Sequence, residues 1–154
     1  MIINKYRTEL NEDKLNILVK EESKEYNEYK ALDEAGKIAD CVNSLYNLCN
    51  RAEEYVYMLA LDTKLGPIAM FEVTHGTVDI SHVSPREVFI RALLCGASRI
   101  VLIHNHPAGS TTPSTADIKL TERMVEAGKL INISVEDHII VGDGYFSFRR
   151  ENYI

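Results

Sequence analysis

Residues 98–120 read SRIVLIHNHPAGSTTPSTADIKL, and this segment carries the clearest pattern of secondary structure in the sequence. Four consecutive leucine or β-branched residues, at positions 100–103, are typical of a central β-strand that is buried on both faces. The apolar run ends abruptly at the polar segment 104–115. Ser114-Thr115-Ala116-Asp117 then has the residue types of a helix capping box. The segment therefore predicts a buried strand, a polar loop and a helix, in that order.

The flanking sequence extends this pattern to an α/β domain of the α+β type, in which helices flank a mixed central β-sheet. Apolar residues between positions 31 and 49 recur at three- and four-residue steps, which is the period of an amphipathic helix. Ser84, Pro85 and Glu87 have the residue types of a helix start. The predicted elements are helix 31–49, a hairpin of strands 54–62 and 67–76, a helix from Ser84 to Gly96, strand 100–103, a helix from Ser114, and strands within 131–142 and 145–148.

The first thirty residues form an N-terminal extension to the predicted domain, which spans residues 31–154. The extension is polar and carries charges of both signs without a clean apolar period, so we expect it to be loosely held. The alternative is an edge strand, because Leu15, Ile17 and Val19 alternate in the strand period.

The composition limits the classes of function. The chain has 154 residues, of which 45% are hydrophobic, and no segment approaches the roughly 18 uninterrupted apolar residues of a membrane-spanning helix. We therefore expect a cytoplasmic protein. Because its net charge is −6, we do not expect it to bind nucleic acid directly. Cys41, Cys49 and Cys95 form no C-x-x-C pair, so a metal site is expected to use histidine and carboxylate ligands.

A candidate metal site lies where the central strand ends. Residues two apart in a strand point to the same side, so His104 and His106 are expected about 6–7 Å apart along the chain with converging side chains. Asp117 lies in the first turn of the following helix, and the connecting loop can return its carboxylate to the strand end. Two histidines, one aspartate and an open position are the outline of a hydrolytic zinc site.

Each of these residues also has a structural interpretation. His104 and His106 can be polar residues at a strand end. Ser114 and Asp117 can act only as a capping box, which would turn the Asp117 carboxylate away from a metal. His138 is interpreted as a turn or core histidine that is hydrogen-bonded to the backbone, rather than as a fourth ligand.

The segment HNHPAGSTTPSTAD, residues 104–117, resembles the H-x-H-P…S-x-x-D signature of the JAB/MPN+ (JAMM) metalloprotease superfamily. The sequence from about Glu53 to Phe148, including GTVD, VSPREVF and DHIIVGDG, is similar to the RadC-like branch. RadC-like proteins often carry an N-terminal helix-hairpin-helix module. No such module is recognisable here, so we expect a shorter, single-domain member, and this departure weakens the expectation of a role as a DNA repair protein.

The resemblance implies a JAB/MPN-like fold and a function. His104, His106 and Asp117 would be zinc ligands, and Ser114 would help to stabilise the oxyanion. Glu54 would be the general base in hydrolysis of a peptide or isopeptide bond, with Glu53 as the alternative because adjacent strand residues point to opposite faces. The alternative to a catalytic role is that Glu54 is a solvated carboxylate at a helix-to-strand junction.

Two other functions remain open at this stage. One is a non-catalytic interaction module associated with DNA repair or mobile-element proteins. The other is a metal-dependent nuclease or deaminase, although a deaminase would be expected to contain a P-C-x-x-C segment, which is not found in the sequence. Oligomeric state and physiological substrate are not predicted.

Overall fold

The computed structural model of the protein describes residues 1–76 and 82–154. Part of the GTVD segment falls at residues 77–81, outside the described residues. The described chain contains seven strands and three α-helices. The elements are β1 (Ile2–Leu10), β2 (Asn16–Glu25), α1 (Ala35–Tyr46), a 3-10 turn (Leu48–Asn50), β3 (Tyr55–Leu61), β4 (Pro67–His75), α2 (Pro85–Leu94), β5 (Arg99–Asn105), α3 (Thr115–Ile131), β6 (Ser134–Gly142) and β7 (Gly144–Ser147).

The strands form one mixed sheet in the order β2-β1-β4-β3-β5-β6-β7. β5 is central, because it pairs antiparallel with β3 on one side and parallel with β6 on the other. The apolar run that predicts this strand is buried throughout. The predicted α+β fold with a mixed central sheet is therefore confirmed.

Side-chain alternation divides the core into two layers. On β3, odd-numbered residues from Tyr57 to Leu61 pack in the cluster that contains α1, whereas even-numbered residues from Val56 to Ala60 pack in the cluster that contains α2 and α3. β5 alternates in the same way, and its even-numbered residues Ile100 and Leu102 face α2 and α3. His104 continues this even series. The strand period therefore directs His104 to the face that α3 covers.

The helix boundaries follow local backbone conformation. α1 is shorter than the predicted helix 31–49, because Glu34 is extended and Asn47 adopts a left-handed conformation at φ 52°. The predicted starts of α2 and α3 are confirmed by the Ser84 and Ser114 side chains, which accept hydrogen bonds from backbone N–H groups. Among the described residues, no helix has both the length and the apolar character needed to cross a membrane.

The expectation of a loosely held N-terminal segment is wrong. Residues 2–25 form an antiparallel hairpin, and β1 also pairs parallel with β4 through Lys5 and Tyr6. Ile3 is buried in the core, and Lys5 forms an ion pair with Glu72 on β4. The alternative, an edge strand through Leu15, Ile17 and Val19, is confirmed for Ile17 and Val19, which lie in β2 at the edge of the sheet. Leu15 precedes the strand and is exposed.

Candidate metal centre

Three elements bring four chemically active side chains to one end of the sheet. His104 lies near the end of β5 and His106 directly follows that strand. Asp117 lies in the first turn of α3, and Glu54 immediately precedes β3. One ligand atom from each of these four residues lies within 4.8 Å of the others. The predicted histidines and aspartate are therefore together, with a glutamate beside them.

The distances at the centre are short and its burial is uneven. Nε2 of His104 lies 3.3 Å from Oδ1 of Asp117, and Nε2 of His106 lies 3.4 Å from Oδ2. The two Nε2 atoms are 3.0 Å apart. The side chains of His104 and Asp117 are 0% and 1% exposed, whereas that of His106 is 19% exposed. The centre is thus closed on the His104 side and accessible on the His106 side.

Asp117 serves the helix cap and the candidate centre at the same time. Its Oδ2 accepts a hydrogen bond of 2.6 Å from the Ser114 backbone N–H, while Ser114 Oγ accepts one of 3.1 Å from the Asp117 N–H. A carboxylate has about four lone-pair positions, so the cap leaves electron pairs that face the histidines. The two interpretations of Asp117 are not alternatives, because the capping box orients the carboxylate toward the histidines.

His106 is oriented by the loop that follows it. Its Nδ1 lies 2.7 Å from the Ser110 carbonyl oxygen. A carbonyl oxygen only accepts, so Nδ1 carries the ring hydrogen and Nε2 keeps its lone pair. The loop is fixed in turn, since the Asp143 N–H donates to the Gly109 carbonyl over 2.8 Å. Gly142 makes this approach feasible, because a Cβ at that position would lie 2.2 Å from the Gly109 oxygen.

Sheet register separates Glu54 from Glu53. Val56 pairs with His104 in the antiparallel ladder, so the same register extended by two residues places Glu54 opposite His106. Glu54 shares the face of Val56, toward α3, and is part of the four-residue group. Glu53 is exposed and has no place in that group. Of the two candidates for a general base, the geometry favours Glu54.

Asn105, between the two histidines, holds the Glu54 segment in place, which the sequence interpretation missed. Its side-chain oxygen accepts from the Tyr55 N–H over 2.7 Å, and its amide nitrogen donates to the Glu53 carbonyl over 2.9 Å. The fully buried Asn105 thus binds the backbone on both sides of Glu54. A buried amide between two candidate ligands was the available signal, but its partners lie about fifty residues away in sequence.

The interpretation of His138 as a core histidine is correct in location, but its ring partners were not predicted. It lies in β6, is fully buried, and bonds to side chains instead of backbone. Its Nε2 is 2.8 Å from Nδ1 of His104, and its Nδ1 is 2.7 Å from Thr121 Oγ1. The polar residues Asp137 and His138, which lie directly before the apolar run 139–141 of the same strand, were the signal for such a role.

The electrostatics follow from burial and from these contacts. Burial lowers the pKa of His104 and, more strongly, the pKa of His138, so both rings are neutral near pH 7. Burial opposes ionisation of Asp117, but the adjacent imidazole rings of His104 and His106 outweigh it and hold the pKa of Asp117 well below its usual range. The hydrogen bond to Asp117 raises the pKa of His106 against the effect of partial burial.

This donor set fits a divalent cation. The carboxylate is ionised, and the hydrogen bond to Ser110 leaves the His106 Nε2 lone pair directed inward. Two ligand atoms on a tetrahedral zinc ion are about 3.3–3.4 Å apart, given metal–ligand distances of about 2.0–2.1 Å. The 3.0 Å between the two Nε2 atoms is close to that value. So are the 3.3 Å from His104 Nε2 to Asp117 Oδ1 and the 3.4 Å from His106 Nε2 to Asp117 Oδ2, in which each imidazole faces a different carboxylate oxygen. The buried His-His-Asp group with a nearby glutamate therefore fits a JAMM-type metal site.

Ser114 is found at the start of α3, where its hydroxyl accepts from the Asp117 N–H. Ser114 is exposed and forms this hydrogen bond with Asp117, which is a candidate ligand. Its predicted contact with an oxyanion stays a prediction.

Comparison with known proteins identifies the family. The family model for the RadC-like JAB domain matches residues 32–153. Similar relatives include UPF0758 proteins of Thermotoga maritima (39% identical over 80% of this chain and 58% of the relative), Alkaliphilus oremlandii (48%, over 66% and 44%) and Methanococcoides burtonii (45%, over 66% and 45%). The chain thus spans about half the length of these curated relatives. With the JAMM-type geometry and the match over most of its residues, the chain belongs to the RadC-like JAB domain family.

Proposed function

We propose that this protein is a zinc-dependent hydrolase that cleaves an amide or isopeptide bond, with His104, His106 and Asp117 as ligands and Glu54 as general base. The observation that carries the proposal is the convergence of Glu54 with the three ligand atoms within 4.8 Å. A ligand set of two histidines and a carboxylate, with an adjacent carboxylate outside the ligand set, is the arrangement of hydrolytic metal sites.

The donor atoms favour zinc over other cations. Two imidazole nitrogens and one carboxylate oxygen suit zinc, whereas magnesium and calcium prefer sites made only of oxygen. When bound, zinc would supply Lewis-acid polarisation of the scissile carbonyl and lower the pKa of a coordinated water. The more exposed His106 side of the centre is where substrate can approach.

The protein's own residues would handle the proton. Glu54 is half-buried and lies on the accessible side, opposite His106. Its carboxylate can accept a proton from the attacking water and return it to the leaving amine nitrogen. Asn105 holds the backbone on both sides of Glu54 and so fixes the distance from base to ligands. The Ser114 hydroxyl would donate to the developing oxyanion.

The test compares Glu54→Gln with the matched control Glu53→Gln. Zinc-loaded proteins would be incubated with a library of fluorescence-quenched linear peptides and lysine-branched isopeptides, and zinc content would be measured in parallel. We expect Glu54→Gln to retain zinc and lose at least about 100-fold in cleavage rate, which is the scale of general-base catalysis. Glu53→Gln should cleave like the wild type.

Equal rates for the two variants would remove Glu54 from the mechanism. Absence of cleavage by the zinc-loaded wild type across both kinds of substrate would contradict the hydrolase and favour the non-catalytic interaction module.

A further inference from the structure

We infer that His138 and Thr121 are positioning residues for the metal centre, because a buried hydrogen-bond chain fixes the ring hydrogen of His104 on Nδ1. This leaves the Nε2 lone pair of His104 directed at the ion. The inference rests on the proposed metal site and names the residues that prepare its most buried ligand.

The hydrogen-bond chain begins at the Asp117 backbone carbonyl, which can only accept a hydrogen bond. Thr121 Oγ1 lies 2.7 Å from the Asp117 backbone carbonyl and donates its single hydrogen to it. The same oxygen lies 2.7 Å from Nδ1 of His138. Because the hydroxyl hydrogen is already used, the oxygen accepts, and Nδ1 of His138 must carry a hydrogen.

The second ring then determines the first. A neutral His138 with its hydrogen on Nδ1 has a lone pair on Nε2, which lies 2.8 Å from Nδ1 of His104. Nδ1 of His104 is therefore the donor in that contact. The other nitrogen of His104, Nε2, is left without a hydrogen and lies 3.3 Å from Asp117 Oδ1. This is the state that a metal requires of an imidazole ligand.

Because the hydrogen-bond chain is buried, it determines which nitrogen of His104 carries the hydrogen. His104 and His138 are both 0% exposed and Thr121 is 2% exposed, so bulk water does not substitute for a missing partner. The His138 ring is held against Phe148, with ring centroids 4.8 Å apart and planes within 12°. This stacking holds the ring in place, so the tautomer of His138 determines the tautomer of His104.

α3 therefore contributes to the centre twice. Asp117 is a candidate ligand, and Thr121 lies one helical turn later, where residues four apart share a face. If the Thr121 hydroxyl is removed, His138 can take the opposite tautomer and donate from Nε2 to Nδ1 of His104. His104 would then carry its hydrogen on Nε2, and that hydrogen would block coordination.

The test compares Thr121→Val, which keeps the side-chain shape, with Thr121→Ser, which restores the hydroxyl. Zinc affinity would be measured by competition with a chromophoric chelator. We expect Thr121→Val to bind zinc about 10–100-fold more weakly than the wild type, as for loss of other groups that orient a metal ligand. Thr121→Ser should remain close to the wild type.

A second measurement reads the tautomers without any metal. Long-range ¹⁵N–¹H correlation spectra of the zinc-free wild type and of Thr121→Ser should show the hydrogen of both His104 and His138 on Nδ1. His138→Gln, which keeps an acceptor for His104, should bind zinc more tightly than His138→Phe. Thermal unfolding of each variant would establish that it is folded, and the threonine pair carries the test if His138→Phe does not fold.

Two results would overturn the inference: equal zinc affinity of Thr121→Val and Thr121→Ser, or a zinc-free wild type in which His104 carries its hydrogen on Nε2. Failure of the wild type to bind zinc would instead contradict the proposed function. In that case the tautomer spectra would still decide the inference, because they are recorded without zinc.

Discussion

The two histidines of the centre are held by different kinds of structure. His104 lies in a strand, is fully buried, and is oriented by side chains of β6 and α3. His106 follows the strand, is partly exposed, and is oriented by the carbonyl of Ser110 in a loop. One centre can thus be both rigid and accessible: the buried half, at His104, would fix the geometry of a bound ion, and the loop half, at His106, would leave room for a substrate.

The largest difference between the halves should appear when each ligand is removed. His104→Ala and His106→Ala should both abolish stoichiometric zinc binding. His104→Ala should in addition lower the free energy of unfolding of the zinc-free protein by about 1–3 kcal/mol, because Nε2 of His138 loses its buried partner. His106→Ala should change it by about 0.5 kcal/mol or less. Urea unfolding with a chelator present would measure both, and equal losses would refute the distinction.

The loop half can be disturbed without touching a ligand. In Gly142→Ala, the new Cβ would lie 2.2 Å from the Gly109 carbonyl oxygen, which is backbone and must move. The displaced loop would weaken the Ser110 contact with His106, so we expect zinc affinity to fall by about 10-fold, the lower end of the range for groups that orient a ligand.

Gly36→Ala provides the control for this variant. Its Cβ would meet only the end of the Tyr145 side chain, at 3.2 Å, and it lies in α1 away from the ligands. Zinc affinity should match the wild type in calorimetric titration. An unchanged affinity in Gly142→Ala would mean that the loop does not set the position of His106.

The smallest effect is a pH dependence confined to the exposed half. In the zinc-free protein, Asp117 raises the pKa of His106, so their ion pair contributes stability at low pH that is lost as pH rises through the raised pKa. Zinc and the proton compete for the same atom, Nε2 of His106. The increase in unfolding temperature caused by zinc should therefore grow between about pH 6 and pH 8.

The buried half should not contribute to this proton competition. Burial lowers the pKa values of His104 and His138, so both rings are already neutral near pH 7. Calorimetry in buffers of different ionisation enthalpy should detect up to about one proton released per zinc, arising from His106. Binding without proton release at the acidic end would contradict this assignment.

The sequence predicts the parts of the centre that depend on local spacing. His104, His106 and Asp117 fall within fourteen residues, and both the strand ending and the capping box are local patterns. The contacts of Asn105 with the Glu54 segment, and of His138 with His104, depend on strand pairing across 34 to 52 residues. Single-sequence patterns do not encode which strands are neighbours, so these partners required the fold.

The prediction that the N-terminal segment is loosely held was wrong for a related reason. β2 forms the sheet edge and β1 lies next to it, and the charged residues Lys5 and Arg7 of β1 form ion pairs with Glu72, Glu9 and Glu21. An edge strand of this kind has few buried positions, and its charge-rich sequence resembles that of an unstructured segment. Pairing of β1 with β4 attaches the hairpin to the rest of the sheet, and β4 lies more than fifty residues away from β1.

X-ray absorption at the zinc edge of the metal-loaded protein would show whether His104, His106 and Asp117 hold one zinc ion, as we propose. We expect one ion per chain with nitrogen and oxygen ligands at about 2.0–2.2 Å, two of them imidazoles. Substituting Asp117→Asn or either histidine should abolish that signal. A sulfur ligand at about 2.3 Å, or the same spectrum after loss of a histidine, would contradict the claim.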